Sequence, residues 1–457
     1  MVVNGFRKRV VQWEKLLKKK SYKVLASVLK KAPGVEVADF LQGQPLTECV
    51  KVFVLLDNRT QAVLFSNFTK ENQLMLYRLL PRSAFALLFL DVPSDLRADF
   101  YQNLGRKEQE QILPYLPKNI RQDVLTLSSY APETAGAIMS TDFVTLSDMM
   151  TVQEALVKIR EEPPSKRMMY YLYVVNKDMQ MIGFVSLQKM ILVSPKTTIR
   201  DILQDTFVFA GVTEDREAVA RKIEKYNLVA LPILNDEEQL VGIVSYDDAM
   251  DVIRAEQTED MERFMGIVSD EDPEDYLKTS SLHHFQKRIL WVSGLFIASF
   301  ASGYILHLHE ELLAKFTILA LYMTTINDVG GNMGTQSATV VVRALALRQV
   351  VLKDWSIVLF KELKVALFSM IVLGVLTFVK VIFISGGLEQ GVYRIALIIT
   401  LAVSLQVVTA TFIGAMLPLF VKWLRKDPAL AASPAITTIV DITGMSIYFT
   451  IAMLLLP

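Results

Sequence analysis

The spacing of apolar and polar positions divides the chain into three stretches. Over residues 1–129 apolar residues recur three and four apart, interrupted by Pro and Ser-Asp pairs, which predicts a run of amphipathic helices. The basic N-terminus fits the same spacing through Val10, Leu16, Leu17, Leu25 and Leu29, and lacks the continuous apolar core of a secretion signal. A weak repeat of about 36 residues relates DNRTQAVLFSNFTKENQLMLYRLLP, from Asp57, to PSDLRADFYQNLGRKEQEQILPYLP, from Pro93. Helix hairpins of that length stack into an all-α superhelical domain. Ser94 is a candidate N-cap, which sets Asp95 and Asp99 on one helix face.

From Tyr130 the period shortens to that of strands alternating with helices. LYVVNKDMQMIGFVSLQKM, from Leu172, matches ALPILNDEEQLVGIVSYDDAM, from Ala230, with Asn176 over Asn235 and Gly183 over Gly242. Each unit reads as apolar strand, polar turn, Gly-containing strand and helix start, and each follows a helical segment (TVQEALVKIREE from Thr151, EDREAVARKIEKYN from Glu214). Residues 130–255 therefore resemble a tandem pair of CBS domains, α/β regulatory modules. That resemblance implies a dimerising unit that senses ions or adenine nucleotides, ATP among them.

The third stretch is apolar. Ile289–Leu306, Phe316–Leu347, Val365–Ile384, Ile395–Phe420 and Ala429–Leu456 each approach or exceed the ~20 residues that cross a bilayer as helix, which predicts a five-helix transmembrane domain over residues 286–457. Alternate connectors are basic: Lys287 and Arg288; Arg343, Arg348 and Lys353; Lys422, Arg425 and Lys426. The positive-inside rule then puts the soluble part in the cytoplasm and Pro457 outside. Charge overall is balanced, 48 basic against 48 acidic residues, which offers no electrostatic case for nucleic acid. The lone Cys49 cannot form an internal disulfide and suits a reducing compartment, as a core residue.

Between the second and third stretches lies an acidic connector, expected as a helix over residues 256–285. Asp247, Asp248, Asp251, Glu256, Glu259, Asp260, Glu262 and the acids from Asp270 to Asp275 face only Arg254, Arg263 and Lys278. Asp248, Asp251, Glu256 and Glu259 share one broad helical face, where like charges oppose one another and hard divalent cations relieve them. A neutralisable helix directly before the first span is placed to turn ion occupancy into gating.

Two membrane segments carry candidate chemistry. NDVGGNMGTQSATVVVR, from Asn327, brings Gly330, Gly331 and Gly334 together with Asn332, Thr335, Gln336 and Ser337; the glycines are expected to loosen the helix and to allow close backbone approach, and the polar groups to offer neutral oxygen ligands. Helix packing alone is the competing reading of such glycines. In DPALAASPAITTIVDITGMSIYF, from Asp427, Asp441 stands in an otherwise neutral span, at a cost of at least ~2.5 kcal/mol, and so marks a water-reached functional position. Thr437 and Thr438 add oxygens one turn earlier. A carboxylate in water attracts Mg2+ without stripping its reluctant hydration shell. A structural ion pair with Lys380 is the alternative role for Asp441.

Domain order and both membrane signatures, GGNMGTQSATVVVRALAL and DPALAASPAITTIVDITGMSIYF, together with YAPETAGAIMSTDFVTL from Tyr130, resemble the MgtE family of magnesium transporters over essentially the whole chain. The resemblance implies a homodimer in the inner membrane with a channel-like pore at the membrane-domain interface, Asp441 holding hydrated Mg2+, and closure by cytosolic Mg2+. By motif position the regulatory acids are Asp95, Asp99, Asp215, Glu217, Asp248, Asp251, Glu256 and Glu259, with Asp427 at the membrane face. Asn227 and Ser433 stand where relatives carry other polar ligands, and Asp328 is an added carboxylate expected near one pore mouth. No Walker-type segment supports ATP-driven pumping, and no nucleophile–base pair at depth supports an enzyme. The remaining alternative is a CBS-regulated secondary transporter of Co2+, Ni2+ or Mn2+, against which the lack of His and Cys in the spans argues for the first two.

Overall fold

Pro starts many of the N-terminal helices, because it is tolerated where no helical N–H partner is needed. Pro33, Pro45, Pro81, Pro93 and Pro117 stand just before helices, while Asp57 and Thr69 cap theirs through side chains accepting from the Thr60 and Asn72 amides. The structure, a computed structural model, describes residues 2–161, 170–269, 276–277, 279–384, 390–431 and 433–456. It comprises two compact units, Met1–Ile253 and Arg254–Pro457.

In the first unit, helices from Val2–Lys18 to Lys118–Leu127 bury Phe65, Tyr77, Phe85, Phe89 and Phe100, whose rings meet at centroid distances of 5.0–5.7 Å. Cys49 is buried with them, and burial pushes its thiol up to about 11, which makes it inert. Ser94 is not an N-cap. It is the first residue of the helix Ser94–Gln102, and its amide donates to Asp142 Oδ2 at 2.8 Å, 48 residues away. The Ser94 hydroxyl meets Ser140 Oγ at 2.9 Å instead. Where Asp57 caps the first repeat locally, the second repeat takes its cap from the CBS segment.

Two three-stranded sheets follow. β1 (Thr145–Ser147) pairs parallel to β2 (Tyr171–Val175), which pairs antiparallel to β3 (Met181–Ser186). β4 (Ala210–Gly211), β5 (Ala230–Leu234) and β6 (Leu240–Ser245) repeat that order. The aligned asparagines do identical work: Asn176 Oδ1 accepts from the Asp178 and Gln180 amides, and Asn235 Oδ1 from those of Glu237 and Gln239. The two turns also bond each other, Met181 N to Glu238 O and Leu240 N to Met179 O, both at 3.1 Å.

The acidic helix runs Tyr246–Phe264, starting earlier and ending sooner than the expected 256–285. Gly266, at φ +71°, turns the chain away. Asp270–Asp275 and Lys278 of the connector lie outside the described residues.

The second unit is helical. Ser281–Leu308, Leu352–Ile384, Gly391–Trp423 and Ser433–Leu455 are long and apolar enough to cross a membrane. The Gly-rich helix Ile318–Ala346, at 29 residues, has the length, but its glycines and polar residues dilute its hydropathy. It is continuous, so the expected loosening at Gly330, Gly331 and Gly334 does not occur. These glycines are buried contact points instead: Cβ atoms there would lie 2.9 Å from Val440 Cγ1, 3.2 Å from Thr437 Cγ2 and 3.1 Å from Ile436 Cγ2 respectively. The packing reading of the glycines holds for this face. The helix Trp355–Ile384 begins ten residues before its apolar run, because Lys361, Glu362 and Lys364 sit inside it.

Candidate functional site

Asp441 projects from the helix Ser433–Leu455, half-buried, and accepts no hydrogen bond or ion pair from a described residue. The Lys380 ammonium donates to Thr325 Oγ1 at 2.8 Å and forms no ion pair with Asp441. Thr437 and Thr438 donate back to Ser433 O (3.1 Å) and Pro434 O (3.0 Å). Their protons are thus used within the helix, which leaves the oxygen lone pairs for a cation or its water.

Beside them runs the Gly-rich helix. Asp328, Asn332 and Gln336, spaced four apart, form a polar stripe exposed along it, while Gly330 and Gly334 pack behind. Ser337, buried, donates to Glu362 Oε2 at 2.8 Å. Sequence reasoning missed Glu362, because its charged neighbours read as a connector. It also missed Gln406, a fully buried amide on the helix Gln390–Trp423 that donates to Val440 O. A polar residue inside an apolar run was the available signal.

The regulatory candidates fall in both units. In the first, Asp95 is half-buried while Asp99, one turn on, is exposed. Arg97, 3% exposed, reaches Asp123 at 3.1 Å and Asp142 at 3.8 Å, neutralising that side. Asp95 has no such relief. Burial first, then the charge of Asp248, with smaller contributions from Asp99 and Asp142, push its carboxyl up to about 7. Ser245 Oγ bonds both Asp247 and Asp248. Asp215 and Glu217 have local partners: Asp215 Oδ1 caps the helix Arg216–Tyr226 through the Ala218 amide at 2.9 Å, and Glu217 pairs with Arg221. Asn227 closes that helix at φ +50°, a conformation Asn tolerates. Asp251 shares the acidic helix with Asp248.

In the second unit, Glu259 and Asp427 do share a cation, but it is Arg263: its guanidinium bonds Glu259 and reaches Asp427 Oδ2 at 2.8 Å. Glu262 accepts from Lys287 at 3.4 Å, so this end of the acidic helix is ion-paired on two sides. Glu256 lies on the same helix. Ser433 opens the Asp441 helix and accepts from Thr437 through its carbonyl.

Among the described residues no three His, Cys, Asp or Glu side chains converge to cage a metal. Mg2+ needs no such cage, since it is held by one or two carboxylates and keeps several waters. The unrelieved carboxyl of Asp95 beside Asp248 is the observation that fits a bound cation best.

This arrangement has a pH signature. A folded-state pKa above the ordinary value means protonation relieves the repulsion and divalent cations compete with protons. Added Mg2+ should slow amide hydrogen exchange of Ser94–Gln102 strongly at pH 8 and far less at pH 6, read as the with/without-Mg2+ ratio at each pH. Equal protection at both pH values would contradict a cation at Asp95.

Residues 33–133 match the MgtE intracellular N domain, residues 135–196 and 199–255 each match the CBS domain, and residues 323–451 match MgtE, a divalent cation transporter family. The chain is 33% identical over 347 residues to the magnesium transporter MgtE of Thermus thermophilus, covering 76% of this chain and 75% of that protein. Identity to the Enterococcus faecalis magnesium transporter MgtE is 31% over 330 residues, 72% and 71% of the two chains. Among solved structures, the soluble part of a magnesium transporter aligns with TM-score 0.52 at 25% identity, over 55% of this chain and 99% of that one. The cytosolic domain of the Mg2+ channel MgtE in complex with ATP aligns with TM-score 0.51 at 26% identity, over 53% and 99%.

Proposed function

This chain belongs to the MgtE family of magnesium transporters, and from that premise we propose a channel-like, Mg2+-selective pathway that cytosolic Mg2+ closes. The observation that carries this reading is the unpartnered carboxylate of Asp441 beside the Gly-rich helix with its exposed polar stripe. Lipid does not solvate Asp328, Asn332 and Gln336, so that stripe calls for water and a second copy of the chain. The pathway accordingly lies in a homodimer, and five helices of each copy span the inner membrane with the soluble domains cytoplasmic and the C-terminus outside.

Asp441 holds the ion through its water, and Thr437, Thr438, Asn332 and Gln336 supply neutral oxygens along the way. Asp328 adds negative charge near one mouth. A hydrated ion held by one carboxylate also leaves again, as conduction requires. Charge and oxygen ligands favour Mg2+ over the softer Co2+ and Ni2+. Since the relatives are transporters, we read the protein as a transporter rather than an enzyme.

Closure follows from the acidic helix. One of its ends carries Asp248, whose charge bears on Asp95; the other carries Arg263 and Glu262, ion-paired to Asp427 and Lys287. A cation neutralising Asp95 and Asp248 steadies the helix, and the Arg263–Asp427 pair ties its far end to the segment that opens the Asp441 helix. Asp99, Asp251 and Glu256 add charge that draws Mg2+ to the same surfaces, and Asp215 and Glu217 contribute through the CBS pair. ATP is the further ligand suggested by the nucleotide-bound relative. The groove along Val152–Glu161 does not suit it, since Glu154 and Glu161 outnumber Lys158 there.

Uptake of Mg2+ into proteoliposomes of the purified protein, without nucleotide or counter-ion gradient, tests the pathway. Uptake should follow the Mg2+ gradient alone. Dependence on an imposed H+ or Na+ gradient would favour the coupled-transporter reading instead.

A further inference from the structure

Gln406 is fully buried, and so are its neighbours Ala402, Val403, Val407 and Ala410. An amide shut among apolar groups costs about 1–3 kcal/mol unless its hydrogen bonds are made. Here they are made. Nε2 donates to the Val440 carbonyl at 2.8 Å, and Oε1 accepts from Thr409 Oγ1 at 3.2 Å.

The amide fits only because both facing positions are glycine. A Cβ on Gly330 would lie 2.5 Å from Nε2, and one on Gly444 would lie 2.6 Å from it. One side chain is therefore keyed into the Gly-rich helix and the Asp441 helix together. The carbonyl it grips belongs to the residue directly before Asp441. Thr443 Oγ1 donates to that same carbonyl at 3.0 Å, so side-chain donors converge on one peptide. Donors inserted against helical carbonyls bend or fix a helix locally.

We propose that Gln406 is a positioning residue for the ion pathway: by holding the Val440–Asp441 peptide it fixes where the Asp441 carboxylate leaves the helix. It touches no ion itself. It acts through Asp441, setting how tightly and how selectively a hydrated divalent cation is held. The inference rests on Asp441 being the carboxylate of that pathway.

The test compares wild type, Asp441→Asn and Gln406→Met for Mg2+ uptake in proteoliposomes. Met keeps the volume and removes the donor, and Thr409 retains Leu405 O and Gln406 O as partners at 3.0 and 3.1 Å. Losing one such hydrogen bond shifts binding about tenfold. Gln406→Met should therefore raise the half-saturating Mg2+ concentration and narrow the Mg2+ over Ca2+ preference, with maximal rate and melting temperature little changed. Gly444→Ala, which displaces the amide, should move both readouts the same way.

If Asp441→Asn transports like wild type, the pathway reading itself fails. If Asp441→Asn is inactive but Gln406→Met keeps wild-type half-saturation and selectivity, Gln406 only packs and this proposal falls. Should Gln406→Met not fold, Gln406→Asn, too short to reach Val440, is read by the same criteria. Loss of fold in both variants would overturn the proposal in favour of packing.

Discussion

Replacing Asp441 by Asn is expected to lower Mg2+ flux by on the order of 100-fold while leaving the protein folded. The substitution is nearly isosteric and breaks no hydrogen bond or ion pair to a described residue. What it removes is the charge. At an effective dielectric near 20, a unit charge about 5 Å away is worth about 3 kcal/mol, and a divalent ion doubles the attraction before water screening reduces it. About 3 kcal/mol corresponds to roughly two decades of rate or affinity. Flux assays in proteoliposomes, with size-exclusion profiles as the folding control, decide it. Wild-type flux in the variant would move the pathway to Asp328 and the polar stripe.

The second large effect is on the fold. Gly414, on the helix Gln390–Trp423, meets Gly334 of the Gly-rich helix backbone to backbone, and a methyl at Gly414 would overlap the Gly334 carbonyl oxygen. Backbone cannot rotate aside as a side chain can, so the two helices must part. That also loosens Ile436 and Val440, which pack on the same glycine. Overpacking of this kind costs about 1–3 kcal/mol for the first methyl and more for a branched residue. Gly414→Val should yield little folded protein, and Gly414→Ala should melt several degrees lower in detergent. Gly391→Ala on the same helix, where a Cβ has open space, should melt like wild type. Matching melting curves for Gly414→Val and wild type would contradict the close backbone contact.

These two positions differ in how far the sequence announced them. Asp441 was legible because one charge stood in a neutral span, where cost alone marks it. The CBS repeat was legible because Asn176 and Asn235 do the same local job in each turn, and local hydrogen bonding writes itself into spacing. Gln406 and Glu362 were not. Gln406 owes its place to Gly330 and Gly444, which are distant along the chain, and Glu362 sits among lysines that resemble a loop. Ser94 misled for the same reason, since the group that caps its helix is Asp142, in the next domain. The role of the glycine cluster, packing rather than loosening, likewise depended on neighbours far along the chain, Gln406, Ala410, Ile436, Thr437 and Val440. The bounds of the acidic helix were missed because its charges continue past the helix end at Phe264.

Regulation gives the most direct measurement: the Mg2+-carried current through wild-type protein in inside-out patches, as Mg2+ on the cytosolic face rises from nominally zero into the millimolar range. The expected result is a current that reverses at the Mg2+ equilibrium potential and closes over that range, with closure shifted to higher Mg2+ when Glu256 and Glu259 are both changed to Gln. A current carried by other ions, or one that stays open as cytosolic Mg2+ rises, would contradict a magnesium pathway closed by its own ion.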